Sequence, residues 1–321
     1  MDILILNWKD IRNPAKGGAE VIAFEFAKRL VKEGHRVTYL SRSFPHALAE
    51  EMIEGVQIIR RGSPLTVYFH AYLYYKSLKK KPDKVIDMVN TICWQTSLYV
   101  PKKNRVMYVN QLAQEVLFYE LPWPISLISY LLERLEYFSY KNTQVICYSD
   151  STKNDLMQFG IPEKNIEIFP MGLDHTRYVP GNKKSKMPLF LFVARLVKMK
   201  RAALCIEALE ILRNEYPDSK LAIIGNGPEE KNLENLAKKL KLEKHVIFVN
   251  KDNFFLSRTT GDIKIAYMQE AWALLLPSVK EGWGMVVTEA AACGTPSIVS
   301  DVTGVRDSVR NGVSGTILSP N

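Results

Sequence analysis

The sequence predicts an α/β protein made of two doubly wound halves, each a mostly parallel sheet with helices on both faces. Three observations predict it. Short apolar runs alternate with amphipathic stretches along nearly the whole chain, and glycine loops stand where several runs give way to helices. At 321 residues the chain is also too long for one ordinary core and suits two.

Residues 2–7 (DILILN) read as a buried strand, followed by a loop with Gly17-Gly18. An amphipathic helix is expected from Glu20 to Lys32, stopped near Gly34, and Val37–Leu40 resumes a strand. This is a βαβ unit, which joins parallel strands through a crossover helix. Further strands are expected at Val56–Ile59, Lys84–Asp87, Arg105–Val109 and Val145–Tyr148. A second series begins after Pro170-Met171-Gly172, which divides the chain into residues 1–172 and 173–321. Its expected strands are Leu189–Val193, Lys220–Ile224, Val246–Val249, Trp272–Leu276, Ser297–Ser300 and Thr316–Leu318. Helices are expected from Ala203 to Asn214, up to Leu242, near Ile263–Glu270, from Met285, and near Val305–Arg310. Ligands of such sheets sit at the carboxyl ends of the strands, so both sets of strand-to-helix loops are expected to face a cleft between the halves.

Composition narrows the function. Hydrophobic content of 47% with 24% charged residues is that of a globular protein. Cys93, Cys147, Cys205 and Cys293 are widely spaced with no CxxC, which argues against a zinc site or disulfides and for a reduced, cytoplasmic setting. The amino terminus has acids on both sides of its apolar run and does not read as a signal peptide. The net charge of +9 is spread over both halves, with 22 Lys/Arg against 19 Asp/Glu up to residue 175 and 21 against 15 beyond it. A basic nucleic-acid-binding arm is therefore not expected. No histidine pattern and no DxD pair suggests a metal, and none is expected.

The most informative stretch is Pro277 to Pro296, which runs strand, glycine loop, helix. Gly282 and Gly284 let the backbone approach a ligand, and the N–H groups from Trp283 through Met285 to Val286 stand uncapped at a helix start, a site for an anion or sugar oxygens. Glu281 before the helix and Glu289 one turn inside it suit a hydroxyl-rich ligand, because carboxylates accept strongly from sugar and ribose OH groups. The plain alternative is a surface loop with a solvated glutamate. Arg195 and Lys200 follow the strand Leu189–Val193 and could neutralise a departing diphosphate, although Lys198, Lys200 and Arg201 also read as a solvated charge run.

In order along the chain, five motifs resemble those of the family-4 retaining glycosyltransferases. They are Gly17-Gly18-Ala19-Glu20, the segment Ile168 to Asp174, Val193 to Lys200, Gly225-Asn226-Gly227-Pro228, and the Glu-x7-Glu of Glu281 to Glu289. The resemblance implies a GT-B fold of two Rossmann-like domains, with the acceptor side in residues 1–172 and the nucleotide-sugar donor in residues 173–321. It implies transfer of a hexose-type sugar with retention and without metal or cofactor. Glu281 is then expected on the sugar hydroxyls, Glu289 on the ribose and Arg195 and Lys200 on the diphosphate, with Gly17, Gly18, Gly225 and the stretch Gly282 to Val286 lining the donor.

Residues 109–120 resemble a subgroup pattern that has histidine where this chain has Asn110, expected near the transferred sugar. Asparagine can hydrogen-bond a hydroxyl but carries no proton. A nucleotide-sugar-binding protein without catalysis, or a sugar-nucleotide 2-epimerase, are the alternatives. Where the family has glycine after the lysine, this chain has Arg201, and near Val249–Asp252, where the base would be chosen, it has Asn250. Asp87 and Asn90 are polar residues that belong either to the cleft or to the framework. The acceptor is expected to be a glycan or lipid. The aromatic stretches Tyr68–Tyr75, followed by lysines, and Trp123–Tyr140 read either as helix packing or as peripheral contact with an inner membrane face. Relatives of this kind are expected to continue into helices beyond Leu318, and the domains here are expected to move more freely without them.

Overall fold

In the computed structural model, residues 1–249 and 258–320 are described, and they form two units. The first comprises Met1–Gln114 and Pro124–Pro170, the second Glu115–Trp123 and Met171–Asn321.

The first unit starts with β1 (Asp2–Leu6), α1 (Gly18–Lys32), β2 (Arg36–Ser41), β3 (Glu50–Ile53) and β4 (Val56–Arg60). It continues through α2 (Val67–Ser77), β5 (Lys84–Val89) and β6 (Arg105–Val109). The short α3 (Leu117–Glu120) belongs to the second unit, and the chain then returns through α4 (Ile125–Phe138), β7 (Gln144–Cys147), α5 (Asp150–Gln158) and β8 (Ile166–Ile168). The eight strands are ordered β3-β4-β2-β1-β5-β6-β7-β8, parallel except for the β3–β4 hairpin. Leu4, Leu6, Leu40, Ile59, Val85, Val89, Met107, Val109 and Val145 line one face, which α2 and α4 cover. Strands buried on both faces need no polar alternation, which is why DILIL and the other runs are continuously apolar.

Strand β3 is an addition to the expected set. Glu54 and Gly55 both have positive φ (48° and 82°), the tight two-residue turn that returns an antiparallel hairpin. Its sequence, EEMI, is half charged because it lies at the sheet edge. Strand β8 is likewise additional, at the opposite edge.

The second unit carries β9 (Leu189–Val193), α6 (Ala202–Leu212), β10 (Lys220–Ile224), α7 (Glu230–Lys239) and β11 (Val246–Val249). Then follow α8 (Arg258–Glu270), β12 (Ala273–Leu276), α9 (Met285–Ala292), β13 (Ser297–Ser300) and β14 (Gly315–Leu318). Its six strands are all parallel, in the order β11-β10-β9-β12-β13-β14. Apolar clusters fill both faces, one under α8 and α9, the other under α6 and α7. The expected helix near Val305–Arg310 is instead a single 3-10 turn, Val305–Ser308, too short to bury a helical stripe.

Candidate functional site

In the second unit, the loop after β9 is held in place by the turn after β10. The Leu196 N–H donates to the Asn226 carbonyl at 2.8 Å, and the Glu229 N–H donates to the Leu196 carbonyl at 3.0 Å. Gly225 makes the approach possible: a Cβ there would stand 1.9 Å from the Ala194 carbonyl oxygen. Its contribution is to position the backbone on which Arg195 sits. Arg195 is exposed, and among the described residues its guanidinium has no hydrogen-bond or ion-pair partner.

Residues Lys198–Lys200 make one 3-10 turn, and Arg201 follows with φ 53° and ψ 37° as the residue before α6. This left-handed conformation accounts for the glycine expected there from the resemblance, because only glycine adopts it without cost.

The loop after β12 docks on this turn, with the Val279 N–H donating to the Met199 carbonyl at 2.9 Å. Lys200 Nζ donates to Glu281 Oε1 in a short ion pair, and Ser278 Oγ donates to the same oxygen at 2.8 Å. Two residues 81 positions apart are thus brought together. Behind Glu281 the chain passes Gly282 and Trp283 to Gly284, which has φ 83° and begins α9 without a side-chain cap. The first amides of α9, at Met285 and Val286, therefore face outward from a helix start, where the dipole favours negative charge.

Glu289, one turn into α9, is 7% exposed. Tyr178 Oη donates to its Oε1 at 2.7 Å and Lys264 Nζ to its Oε2 at 2.8 Å, with Lys264 also 5.0 Å from the Tyr178 ring centre. Burial, then the Glu289 charge, pushes the Tyr178 hydroxyl up, so it stays a donor. Lys280, 3% exposed, lies 3.5 Å from Glu115. Tyr178, Lys264, Ser278 and Lys280 were not singled out from the sequence. The first two lie 111 and 25 positions from Glu289, and no motif announces them. Of the segment expected to choose the base, Asn250 to Asp252 lie outside the described residues.

The first unit treats its predicted residues differently. Gly17 precedes α1, and its N–H donates to Glu20 Oε2 at 2.5 Å, so a residue of the helix's own first turn engages one amide at its start; Gly18 is its first residue. Lys9 Nζ lies 3.6 Å from the other oxygen of Glu20.

Asn110 is buried at the end of β6 within a chain of hydrogen bonds that crosses the carboxyl ends of the strands. Tyr148 Oη donates to Asn110 Oδ1 (2.6 Å), Asn110 Nδ2 to Asn90 Oδ1 (2.8 Å), and Asn90 Nδ2 to Asn7 Oδ1 (2.8 Å). Asn7 Nδ2 then donates to Tyr39 Oη (2.7 Å), which donates to the Lys9 carbonyl (3.0 Å). Asp87 is wholly buried and accepts from Trp94 N–H, Thr96 Oγ1 and Tyr140 Oη, a framework role. Burial raises its carboxyl above the usual range.

Comparison with known proteins agrees with this architecture. Residues 16–177 match Glycosyltransferase Family 4, and residues 178–321 match Glycosyl transferases group 1. A GDP-mannose-dependent phosphatidylinositol monomannoside mannosyltransferase of Mycolicibacterium smegmatis is 29% identical over 170 residues, 49% of this chain and 44% of that protein, so the match spans less than half of that relative. An uncharacterised glycosyltransferase of Methanocaldococcus jannaschii is 26% identical over 95% of this chain and 82% of its own length. The structure of Anabaena Alr3699/HepE in complex with UDP-glucose superposes with a TM-score of 0.70 at 18% identity, covering 100% of this chain and 86% of that one. With two parallel-sheet units and both halves matched in order, the chain belongs to the family-4, group 1 glycosyltransferases and has their GT-B fold.

Proposed function

We propose that the protein transfers a hexose-type sugar from a nucleoside diphosphate to a glycan or lipid hydroxyl, with retention and without a metal ion. The observation that carries this reading is the Lys200–Glu281 pair, together with Arg195, unpartnered among the described residues, and the uncapped start of α9. A diphosphate reaching this loop cluster would draw Lys200 and Arg195 to its oxygens and release Glu281 for sugar hydroxyls. As the bond from the anomeric carbon to the phosphate oxygen breaks, the leaving diphosphate gains negative charge, which the two cations and the helix-start amides stabilise. The acceptor oxygen then bonds to that carbon on the same face and gives its proton to the leaving phosphate. Glu289 would take the ribose, exchanging part of its contact with Tyr178 or Lys264.

The UDP-glucose held by the Anabaena structure supports a nucleotide-sugar donor for this site. The reading is tested by a thermal-shift panel of UDP, GDP, ADP and their sugars, because a ligand specific for the native state raises its melting temperature by mass action. One base is expected to stabilise the protein, with and without a chelator. Indifference to all of them would overturn the proposal. Donor binding without transfer is the second reading. It is favoured by Asn110, whose amide group already donates to Asn90 and accepts from Tyr148. NMR of the donor with candidate acceptors separates the two, since only a transferase releases the diphosphate, and it also reports the anomer formed.

A further inference from the structure

Helix α4 is built inside out. Its buried residues are Ser126, Glu133 and Tyr137, while Ile128, Leu131, Leu132, Leu135 and Phe138 point to solvent, with Leu131 61% and Leu135 67% exposed. A helix that served only to cover a sheet would present the opposite pattern. The inward acids explain why the orientation is kept. Glu133 accepts the N–H groups of Ala113 and Gln114 at 2.6 and 2.7 Å, and Gln114 has φ 39°. Glu136 accepts from Gln95 at 2.7 Å, and burial pushes its carboxyl up to about 7.

Alongside α4 on the same sheet face, α2 exposes Phe69 and Leu73, and the connecting turn exposes Leu98. The three pieces are joined by a 2.8 Å Ser97–Ser139 hydrogen bond and by Tyr72 against Tyr99, ring centres 5.4 Å apart. Their charge has one sign. Residues 62–82 and 88–114 contain no Asp or Glu, and the only acids in residues 124–149 are the engaged Glu133 and Glu136. Among these segments stand exposed Lys76, Lys79, Arg134 and Lys141, with Lys141 Nζ 4.4 Å from the Phe138 ring centre, while Lys80 pairs with Asp2 and Lys81 donates to three backbone carbonyls.

We propose that the face formed by α2, α4 and residues 92–103 docks on an anionic phospholipid bilayer, with α4 lying in the interface plane. Leucines and aromatics enter the acyl boundary while the flanking lysines meet the headgroup phosphates. Among the described residues no helix is long and apolar enough to cross a membrane, and docking does not need one. A second copy of the chain is a poorer occupant: a two-fold contact would set these cations against one another, and residues 62–82, 88–114 and 124–149 hold no acid but the engaged Glu133 and Glu136 to oppose them.

Vesicle flotation of the full chain tests the proposal, with phosphatidylcholine alone and with added phosphatidylglycerol. The protein should float with the anionic vesicles and bind neutral ones at least about tenfold more weakly, with the anionic binding falling in high salt. The double variant Leu131→Glu, Leu135→Glu should lose at least about tenfold in binding. It should keep its melting temperature, because both side chains already lie in solvent. Absence of flotation, equal binding to neutral vesicles, or undiminished binding by the variant would each overturn the proposal. So would a dimer in sedimentation that the variant dissolves while vesicles are ignored.

Discussion

Each unit launches a helix from a glycine loop behind a strand, yet the two launches are finished in opposite ways. At α1 the chain supplies its own anion: Glu20 turns back onto the Gly17 N–H and occupies that amide of the helix start. At α9 no side chain does this, and the nearby Glu281 is engaged by Lys200 and Ser278 instead. A glycine-loop pattern alone therefore does not fix how the helix start behind it is satisfied. The sequence difference is the acid three residues into the helix that can return to the cap: α1 has Glu20 there and α9 has Val287. The contrast extends to several other acids, although Asp10 of the first unit is itself paired with Arg60. Asp87, Glu133 and Glu136 are satisfied by backbone, hydroxyl and amide donors, whereas Glu281 and Glu289 face lysines. Lysine pairs are exchangeable for a charged ligand; backbone contacts are not.

The largest effect should come from the open launch. Lys200→Ala is expected to lower kcat/KM for the donor by about 10²- to 10³-fold, the usual weight of one group that stabilises developing charge. Steady-state kinetics with the donor selected by thermal shift measures it. A loss below about threefold would return Lys200 to the status of a structural partner of Glu281.

A matched pair of alanines sharpens the same comparison. Gly284→Ala places a side chain at φ 83°, with its Cβ 3.2 Å from Val305, and should cost about 1–2 kcal/mol. Gly17→Ala, at φ −130° and with its nearest neighbour at 3.5 Å, should cost no more than about 1 kcal/mol. Urea unfolding measures both, and equal costs would mean the two loops are not distinguished by backbone strain. The smallest effect runs the other way. Arg201→Gly relieves a left-handed arginine and should raise stability by about 1 kcal/mol, read as a higher urea midpoint at constant slope.

Much of this was legible in the sequence where the signal is local. The continuous apolar runs of β1 and β9, and the strand–glycine–helix order from Pro277 to Pro296, record burial and backbone geometry within a few residues. Lys200 and Glu281 were expected at one donor site only through ordered motifs, and their direct contact was not expected, since periodicity does not connect residues 81 apart. Lys264 was out of reach altogether, because a lysine inside a helical pattern reads as solvated until its neighbour across the core is known. Helix α4 misled in a different way. Its apolar positions read equally well as packing, and only the placement of Glu133 beneath the loop at Ala113 and Gln114 turns the leucines outward. The hairpin strand β3 escaped because half of its four residues are glutamates.

The asparagines at the strand ends of the first unit have one more property. From Tyr148 through Asn110, Asn90 and Asn7 to Tyr39, every donor points the same way along the row. Each amide can take only the orientation its neighbours permit, so the row behaves like a line of dominoes standing in one of two senses. The Asn7–Tyr39 end chooses the sense: the Trp8 N–H donates to Asn7 Oδ1, and the Tyr39 hydroxyl donates to the Lys9 carbonyl. Reversing one member would require reversing them all. The row thus keeps a fixed polarity without storing any charge.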